Sequence, residues 1–259
     1  MCGIAFVINY GKKIMDIKFL ERLFINLSIR GTDSSGYYFE RIEDGKIAKR
    51  MIKAPMESSK LLDKIKLYEP KDKAYGSQLN GKESLIMFHC RQKTRGTEYD
   101  NKNNMPIWSK NYVLIHNGII SNDKLDGYKY SAEVDSEEIL ARIETYGLVK
   151  GINGCLGSMA IAIKPVKNRI LYVYRNTNPL DLVYIHKHDI LVGCSNGDYS
   201  QYEEFDHSKL LETLTSPIQT VVELPPKNLF CISLTRNKIK HIADLSVPSN
   251  PTVFEGCND

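Results

Sequence analysis

The sequence predicts an α+β protein built from antiparallel sheets covered by helices. Many short segments rich in Val, Ile, Tyr and Phe are separated by turn residues, a pattern that is typical of β-strands. Two longer segments instead carry apolar residues at helical spacing. Because strands and helices are grouped and do not alternate regularly, a doubly wound parallel sheet is disfavoured.

The first predicted strand, CGIAFVIN, begins directly behind the initiator methionine. The cysteine at position 2 has two interpretations. It is a small, burial-prone residue that suits the start of a strand. Alternatively, removal of Met1 leaves Cys2 as the first residue, where it carries both a thiol and a free α-amino group. This segment alone does not decide between the two.

The two longer segments predict helices within residues 16–31 and 134–147. In the first, Asp16 is the expected N-cap and Gly31 lies near the end. Its apolar stripe consists of Ile17, Leu20, Leu23, Phe24 and Leu27. In the second, Asp135 and Glu138 have the spacing of a capping box. A shorter helix is predicted for SKLLDKIKL, which follows the first long helix along the chain.

Composition excludes several classes of protein. The 259 residues carry 35 basic and 31 acidic side chains, a net charge of +4 that is too mild to indicate nucleic-acid binding. No segment reaches the length of a membrane span, and the first apolar run lacks the basic flank of a signal peptide. The six cysteines are scattered without a CxxC pair, so we expect free thiols in the cytoplasm, no metal site and no cofactor: Cys2, Cys90, Cys155, Cys194, Cys231 and Cys257.

Four polar, glycine-bearing or acidic stretches lie at the ends of predicted elements, where a rigid scaffold can present functional groups. They are RGTDSSG (30–36), HCRQKTRGT (89–97), HNG (116–118) and EVDSEE (133–138). Together with the first residues of the chain they supply the parts that a nucleophilic site requires.

The candidate nucleophile is Cys2, whose own α-amino group has a reference pKa of about 7.7 and can serve as the base. An oxyanion needs fixed donors, which the Asn117 side chain and the Gly118 N–H offer. The planar fork of Arg91 suits a carboxylate, and an ionised Asp135 suits an ammonium group. Carboxylate, ammonium and a cleavable amide describe an amino acid with an amide side chain.

These stretches resemble the glutaminase domain of the class II, N-terminal nucleophile, glutamine amidotransferases, most closely that of the glucosamine-6-phosphate synthases. The family begins with a processed MCGI, and its RGxDSxG, H-x-R loop, HNG, D-[ST]-E and R-x-x-x-PL motifs are all met. The matching residues, in family order, are Cys2, Arg30 to Gly36, His89, Arg91, Thr94, Gly96, His116, Asn117, Gly118, Asp135, Ser136, Glu137, Arg175, Pro179 and Leu180.

The resemblance implies an αββα sandwich of two stacked antiparallel sheets, the N-terminal nucleophile hydrolase fold. It implies that Cys2 attacks the side-chain amide of L-glutamine, releases ammonia and leaves a γ-glutamyl thioester that water hydrolyses. Asn117 and Gly118 would form the oxyanion hole. The substrate-binding residues would be Arg91 for the α-carboxylate, supported by Thr94, and Asp135 for the α-amino group. Arg30 and Asp33 are expected to brace the fold near the site.

Three positions depart from the family pattern. Gln92 and Arg95 replace the tryptophan and histidine of the H-x-R loop, and Met105 replaces a histidine before Pro106. We therefore expect loop closure over the substrate to differ, and any step assisted by that histidine to be altered.

We expect a glutaminase domain over residues 2–243 and a loosely packed tail over 244–259. Because no synthase domain follows, the expected role is a stand-alone glutaminase subunit that supplies ammonia to a separate acceptor enzyme, without membrane or nucleic-acid partners. Two alternatives stay open. One is a hydrolase of the same fold that acts on a γ-glutamyl conjugate, and the other is a catalytically silent glutamine-binding or scaffold module. Neither the acceptor nor the oligomeric state follows from the sequence.

Overall fold

The computed structural model describes residues 2–11, 13–68, 79–186, 188–195 and 219–245. Their strands form two antiparallel sheets. Sheet A has seven strands in the order β11-β9-β10-β1-β4-β2-β3, and sheet B has six in the order β13-β12-β8-β7-β6-β5. Sheet A contains β1 (Gly3–Asn9), β2 (Ser34–Glu43), β3 (Lys46–Ala54), β4 (Glu83–Arg91), β9 (Asp181–Ile185), β10 (Ile190–Cys194) and β11 (Gln219–Glu223). Sheet B contains β5 (Ile107–Trp108), β6 (Tyr112–Ile120), β7 (Gly157–Pro165), β8 (Ile170–Arg175), β12 (Asn228–Ser233) and β13 (Ile239–Asp244).

Helices cover the outer faces of both sheets, so the predicted four-layer αββα sandwich is confirmed. The helices are α1 (Ile17–Leu27), α2 (Ser58–Tyr68), α3 (Glu137–Tyr146) and α4 (Leu148–Asn153). One apolar layer joins α1 and α2 to sheet A, a second lies between the sheets, and a third joins α3 and α4 to sheet B. None of the helices in the described part of the chain combines the length and apolar character that a membrane crossing needs.

Helix α1 forms for the reasons that its sequence indicates. The Asp16 side chain accepts a hydrogen bond of 2.9 Å from the Lys18 N–H, as an N-cap does. The predicted stripe faces sheet A, except that Ile17 at the first turn is 38% exposed.

The strand period of two decides which side chains face the space between the sheets. In β1, Ile4, Phe6 and Ile8 lie in the central layer, whereas Ala5 and Val7 pack under α1. By the same alternation Cys2, two residues before Ile4, is expected to point toward sheet B.

The same alternation predicts where the chemistry lies. Met87 of β4 and Ile115 of β6 belong to the central layer. Continuing by twos reaches Arg91 at the end of β4 and Asn117 near the end of β6, and two residues before Ile4 is Cys2. Strand β6 packs against both β1 and β4 across the sandwich. One end of the central layer therefore collects Cys2 and Arg91 from sheet A and Asn117 from sheet B.

Two local expectations need correction. The capping box at α3 is wrong, because Ser136 is the N-cap, without a side-chain cap bond, and Asp135 accepts from the Ile120 N–H at 2.7 Å instead. Strand β3 was not predicted. It lies at the edge of sheet A, and its basic residues obscure the alternation of apolar and polar residues that identifies a strand. Asp244, the first residue of the predicted tail, ends β13, and residues 246–259 lie outside the described part of the chain.

Candidate active site

Cys2 lies immediately before β1, in the middle of sheet A between β10 and β4. Its thiol donates to the Gln92 carbonyl oxygen at 3.6 Å, and its own carbonyl oxygen accepts from Arg30 Nε at 2.9 Å. The start of β1 is held by the residue that follows β10, because the Ile4 N–H donates to Ser195 Oγ at 2.9 Å. The backbone from the Cys2 carbonyl to the Ile4 N–H is therefore fixed by long-range hydrogen bonds.

Burial raises the pKa of the Cys2 thiol above its ordinary value. The positive charge of Arg91 lowers this pKa and the negative charge of Asp135 raises it, so both charged groups lie close enough to act on the sulfur. Since the thiolate and not the thiol is the nucleophile, attack by Cys2 near pH 7 requires a base that accepts its proton.

Asn117 is the clearest sign of a site on the sheet B side. Its side chain is only 1% exposed, yet neither its amide nitrogen nor its amide oxygen has a hydrogen-bond partner. A buried, unpaired amide costs about 1–3 kcal/mol, so folded proteins rarely keep one without a reason. The backbone of Asn117 is held, because its carbonyl oxygen accepts from Asn178 Nδ2 at 2.7 Å.

The residue after Asn117 has to be glycine. Gly118 adopts φ +153°, and a Cβ at this position would lie 1.9 Å from the Ser158 carbonyl oxygen. Any side chain would therefore push β6 away from β7 and move Asn117 with it.

Arg91 is buried, and its guanidinium is already engaged by the loop that follows it. Nη1 donates to Asn104 Oδ1 at 3.1 Å, and Nη2 donates to the carbonyl oxygens of Arg95 and of Gly96, the latter at 3.0 Å. Because Nη2 has two N–H groups, these two bonds use both. A carboxylate that binds the fork bidentately must therefore displace at least one loop carbonyl.

The H-x-R loop itself is mostly exposed. Thr94, Gln92 and Arg95 all have exposed side chains, so Thr94 supports the site at most through the backbone of this loop. Asp33 fixes the start of the loop by accepting from the Lys93 N–H at 2.6 Å and donating its own N–H to the Arg91 carbonyl oxygen at 3.1 Å. Arg30 and Asp33 thus lie where bracing residues are expected.

Asp135 reaches the site from the segment before α3. The Ile120 N–H fixes one of its carboxylate oxygens at the end of β6, three residues beyond Asn117. The neighbouring Ser136 Oγ lies 2.8 Å from His116 Nδ1, and Glu137 accepts from the N–H groups of residues 131 and 132. The negative charge is therefore anchored to the same strand that carries the unpaired amide.

The two histidines of the motifs have structural contacts. His89 Nε2 donates to the His116 carbonyl oxygen at 3.1 Å, which links the two sheets. Burial lowers the pKa of His89 to about 3 and also lowers the pKa of His116, so both rings are neutral near pH 7. Met105, the third departure, is buried in the apolar layer beside α3 and contributes packing, not proton transfer.

Three further residues hold the site together and were missed from the sequence. Asn103 donates to the Thr97 carbonyl oxygen and accepts from the Glu133 N–H, so it joins the Arg91 loop to the Asp135 segment. Asn104 contacts Arg91, and Lys53 contacts Asn104. The sequence signal was limited to Asn103, which stands three residues before Pro106 as in the family pattern N-x-H-P, and nothing in the sequence pointed to Lys53. Among the described residues, no group of His, Cys, Asp or Glu side chains is arranged to hold a metal ion.

Known proteins share this fold and part of this sequence. Two solved structures match almost the whole chain: glutamine phosphoribosylpyrophosphate amidotransferase from B. subtilis, with TM-score 0.62, 15% identity and 96% of this chain covered, and a structure described as the allosteric regulatory enzyme of purine biosynthesis, with TM-score 0.63, 15% identity and 95% covered. With only 15% identity, these two matches establish that the fold is shared and nothing further.

A match by sequence is more specific than these matches by fold. Glutamine–fructose-6-phosphate aminotransferase (isomerizing) from Staphylococcus epidermidis is 26% identical over 198 residues, which are 70% of this chain and 30% of the aminotransferase. The chain thus spans about a third of that relative and half of each solved structure. No family model matches the chain. The resemblance to class II glutamine amidotransferases that the motifs predicted is confirmed, by sequence in the aminotransferase and by fold in the two structures.

Proposed function

We propose that the protein is a glutaminase, which hydrolyses L-glutamine to glutamate and ammonia through a γ-glutamyl thioester on Cys2. The observation that carries this proposal is the Asn117 amide, buried and without a partner on the strand face opposite Cys2. Such a preorganised donor has a use where negative charge develops on a carbonyl oxygen, as it does in acyl transfer.

The proposed reaction has two halves. Cys2 Sγ bonds to the side-chain amide carbon of glutamine while the carbonyl oxygen takes up negative charge beside Asn117 and Gly118. The carbon–nitrogen bond then breaks, and the nitrogen leaves as ammonia after receiving one proton. In the second half, water adds to the thioester carbon, the carbon–sulfur bond breaks, and glutamate and the thiol are formed.

Proton transfer in this scheme falls to the α-amino group of Cys2, which becomes free when Met1 is removed. Burial raises the pKa of the thiol, so the sulfur needs a base at close range. An α-amine with a pKa of about 7.7 can take the thiol proton and give it to the leaving nitrogen. A retained Met1 would turn this amine into an amide and remove the base.

In this proposal the substrate is recognised by the two side chains whose charges shift the pKa of the Cys2 thiol. We propose that Arg91 binds the α-carboxylate and that Asp135 binds the α-ammonium group. Because both N–H groups of Arg91 Nη2 are engaged by residues 95 and 96, binding must be accompanied by movement of this loop. The exposed loop around Thr94 has room to move.

We further propose that the ammonia passes to an acceptor enzyme on a separate chain, in the cytoplasm. The curated relative is by name an aminotransferase that uses glutamine, which supports transfer of the nitrogen. The five cysteines within the described residues are free thiols, which supports a reducing compartment. Purification from the native source tests this part: a co-purifying enzyme should accelerate glutamate release, and ammonia released quantitatively to solvent in its presence would contradict delivery.

The central test measures glutamate formed from glutamine by the wild type, Cys2→Ala and Cys155→Ala. Cys155 is also a half-buried free thiol and is the matched control. We expect activity in the wild type and the control, and a loss of at least about 1,000-fold in Cys2→Ala. Intact mass should show that Met1 is absent, and an electrophilic glutamine analogue should label Cys2 alone.

Other outcomes are equally informative. Equal glutamate release by Cys2→Ala and wild type would overturn the proposal. Turnover of γ-glutamyl conjugates in preference to glutamine would identify a hydrolase of another substrate, and a retained Met1 with an unreactive Cys2 would identify a silent binding module.

A further inference from the structure

We propose that Lys53 is a positioning residue for substrate binding, which holds Arg91 in place through Asn104. This inference rests on the proposed role of Arg91 as the receptor for the α-carboxylate. Lys53 lies on β3, three strands away from Cys2 in sheet A, and none of the motifs includes it.

The Lys53 ammonium group bridges the segment that follows the Arg91 loop. Nζ donates to the Asn104 carbonyl oxygen at 2.6 Å and to the Pro106 carbonyl oxygen at 3.0 Å. The backbone is tied to the same segment, since the Lys53 carbonyl oxygen accepts from Asn101 Nδ2 at 2.8 Å. Residues 101–106 are therefore fastened to the edge of sheet A at three points.

Asn104 carries this restraint to the site. Its side chain is fully buried, and Oδ1 accepts from Arg91 Nη1 at 3.1 Å. Its Nδ2 donates to the Glu98 carbonyl oxygen at 2.7 Å, so the far side of the Arg91 loop is held as well. When the carboxylate displaces the loop carbonyls from Nη2, the Asn104 contact is the one that keeps the guanidinium oriented.

Sheet geometry explains why a long cation is needed at this position. Lys53 is paired with Gly36, which is paired with His89, so Lys53 shares the inner face with the site. A Cβ on Gly36 would lie 2.4 Å from the Met105 carbonyl oxygen, which shows how closely the segment covers this strand. The Lys53 side chain reaches across that glycine to the segment above.

The titratable groups around Lys53 are Asp100 and His89. Asp100 raises the pKa of Lys53, and the ammonium charge of Lys53 lowers the pKa of the neutral His89 ring. Burial dominates and lowers the pKa of Lys53 to about 8. The ring of Trp108 completes the environment, with its centroid 4.8 Å from Nζ. Trp108 is the single tryptophan of the chain, so its fluorescence reports on the surroundings of this ring, which include the ammonium group.

The test compares Lys53→Met, Lys53→Arg and Lys102→Met with the wild type. Methionine keeps the apolar stem without the donors, arginine restores the charge, and Lys102 is an exposed lysine of the same segment. For Lys53→Met we expect KM for glutamine to rise about 10-fold or more, as expected when a charge-assisted bond is lost, with kcat changed less than about 3-fold. Lys53→Arg should recover most of the loss, and Lys102→Met should match the wild type.

Two labelling reactions separate positioning from general damage. A glutamine analogue that carries the α-carboxylate should label Cys2 more slowly in Lys53→Met, whereas iodoacetamide, which lacks a carboxylate, should react as in the wild type. Equal slowing of both reactions, or an unchanged KM, would overturn the proposal. Thermal unfolding of each variant shows whether Lys53→Met is folded. If Lys53→Met does not fold, the comparison of Lys53→Arg with the wild type still tests the proposal.

Trp108 fluorescence supplies a readout that does not depend on catalysis. The wild type should show a transition near pH 8, which disappears in Lys53→Met and also in Lys53→Arg, because the guanidinium stays charged. If the wild type released no glutamate, the proposed function would fail and the substrate role of Lys53 with it. If the wild type were active and Lys53→Met had a normal KM, only this inference would fail.

Discussion

The two ends of the central layer bury polar groups in opposite ways. About 20 Å along β2 from the site, the carboxylate of Glu40 is fully buried between the sheets. It accepts from Tyr38 at 2.7 Å and lies 3.1 Å from Lys164 Nζ and 3.2 Å from Arg169 Nη1. At the other end, the Asn117 amide is equally buried and has no partner.

We expect this difference to separate stabilising polar groups from functional ones. The Glu40 carboxylate joins β2 to β7 and is paired with two cationic side chains, so breaking these pairs should affect folding. The Asn117 end leaves hydrogen-bonding capacity unused, so its removal should affect chemistry. Four measurements test this distinction, from the largest expected effect to the smallest.

The largest effect is expected at the paired end. Lys164→Met removes one charge from a pair whose side chains are both 1% exposed, so we expect unfolding free energy to fall by about 3–5 kcal/mol. Lys49→Met is the control, because Lys49 lies 3.8 Å from the same carboxylate but is 36% exposed, and should cost less than about 1 kcal/mol. Denaturant unfolding measures both. A loss of kcat in folded Lys164→Met would contradict the separation of the two ends.

At the unpaired end, Asn117→Ala should lower kcat for glutamine hydrolysis by about 100–1,000-fold, because the oxyanion loses a preorganised donor. The unfolding free energy should not fall, since the amide has no hydrogen bond to lose and the cost of about 1–3 kcal/mol for burying it unpaired is relieved. Steady-state kinetics and denaturant unfolding on the same sample decide this. A large loss of stability with kcat retained would make Asn117 another structural group.

The next effect concerns the charge beside the site. Asp135→Asn keeps an oxygen for the Ile120 N–H but removes the negative charge, so KM for glutamine should rise about 10–100-fold. Asp126→Asn, at an exposed position in the preceding loop, should leave KM unchanged. An inhibitor that lacks the α-amino group should bind wild type and Asp135→Asn equally well, and a difference between them would argue against an ammonium contact.

The smallest effect is the pH dependence of stability that His89 contributes. Its pKa is about 3 in the folded protein and about 6.5 when unfolded, so between these values the unfolded chain binds a proton that the folded chain does not. Stability therefore decreases as pH falls below 6.5, by up to about 1.4 kcal/mol per pH unit from this ring. Urea unfolding gives the unfolding free energy at each pH between 6.5 and 5. Its dependence on pH should be weaker in His89→Gln than in the wild type, and an unchanged dependence would exclude the His89 ring as the cause.

The sequence predicted the elements whose partners are local or periodic. The stripe of α1, its Asp16 cap and the inward residues of β1 all follow from spacing, and the motif order led to the correct fold. Cys2 and Asn117 could be chosen from chemistry, and the strand period brings them to one end of the central layer.

The remaining features depend on partners that are far apart in the chain. Asp135 has the spacing of a cap, but the Ile120 N–H on β6 competes successfully for its carboxylate. Lys53 and Asn104 are 51 residues apart and meet only because β3 lies under the segment that ends at Pro106. No local pattern contains these contacts, so the sequence could name the candidate reacting groups but not the contacts that hold them.

The position of Ser195 late in the chain has a consequence for when the candidate site can be assembled during synthesis. The strand that carries Cys2 is held by a hydrogen bond to a residue 191 positions later, and that residue is also the acceptor for Arg30. A ribosome adding about 5–20 residues per second needs roughly 10–40 s to cover that interval. Throughout that interval the thiol has been made but the strand that follows it lacks this anchor, so the candidate site cannot be completed before translation is well advanced.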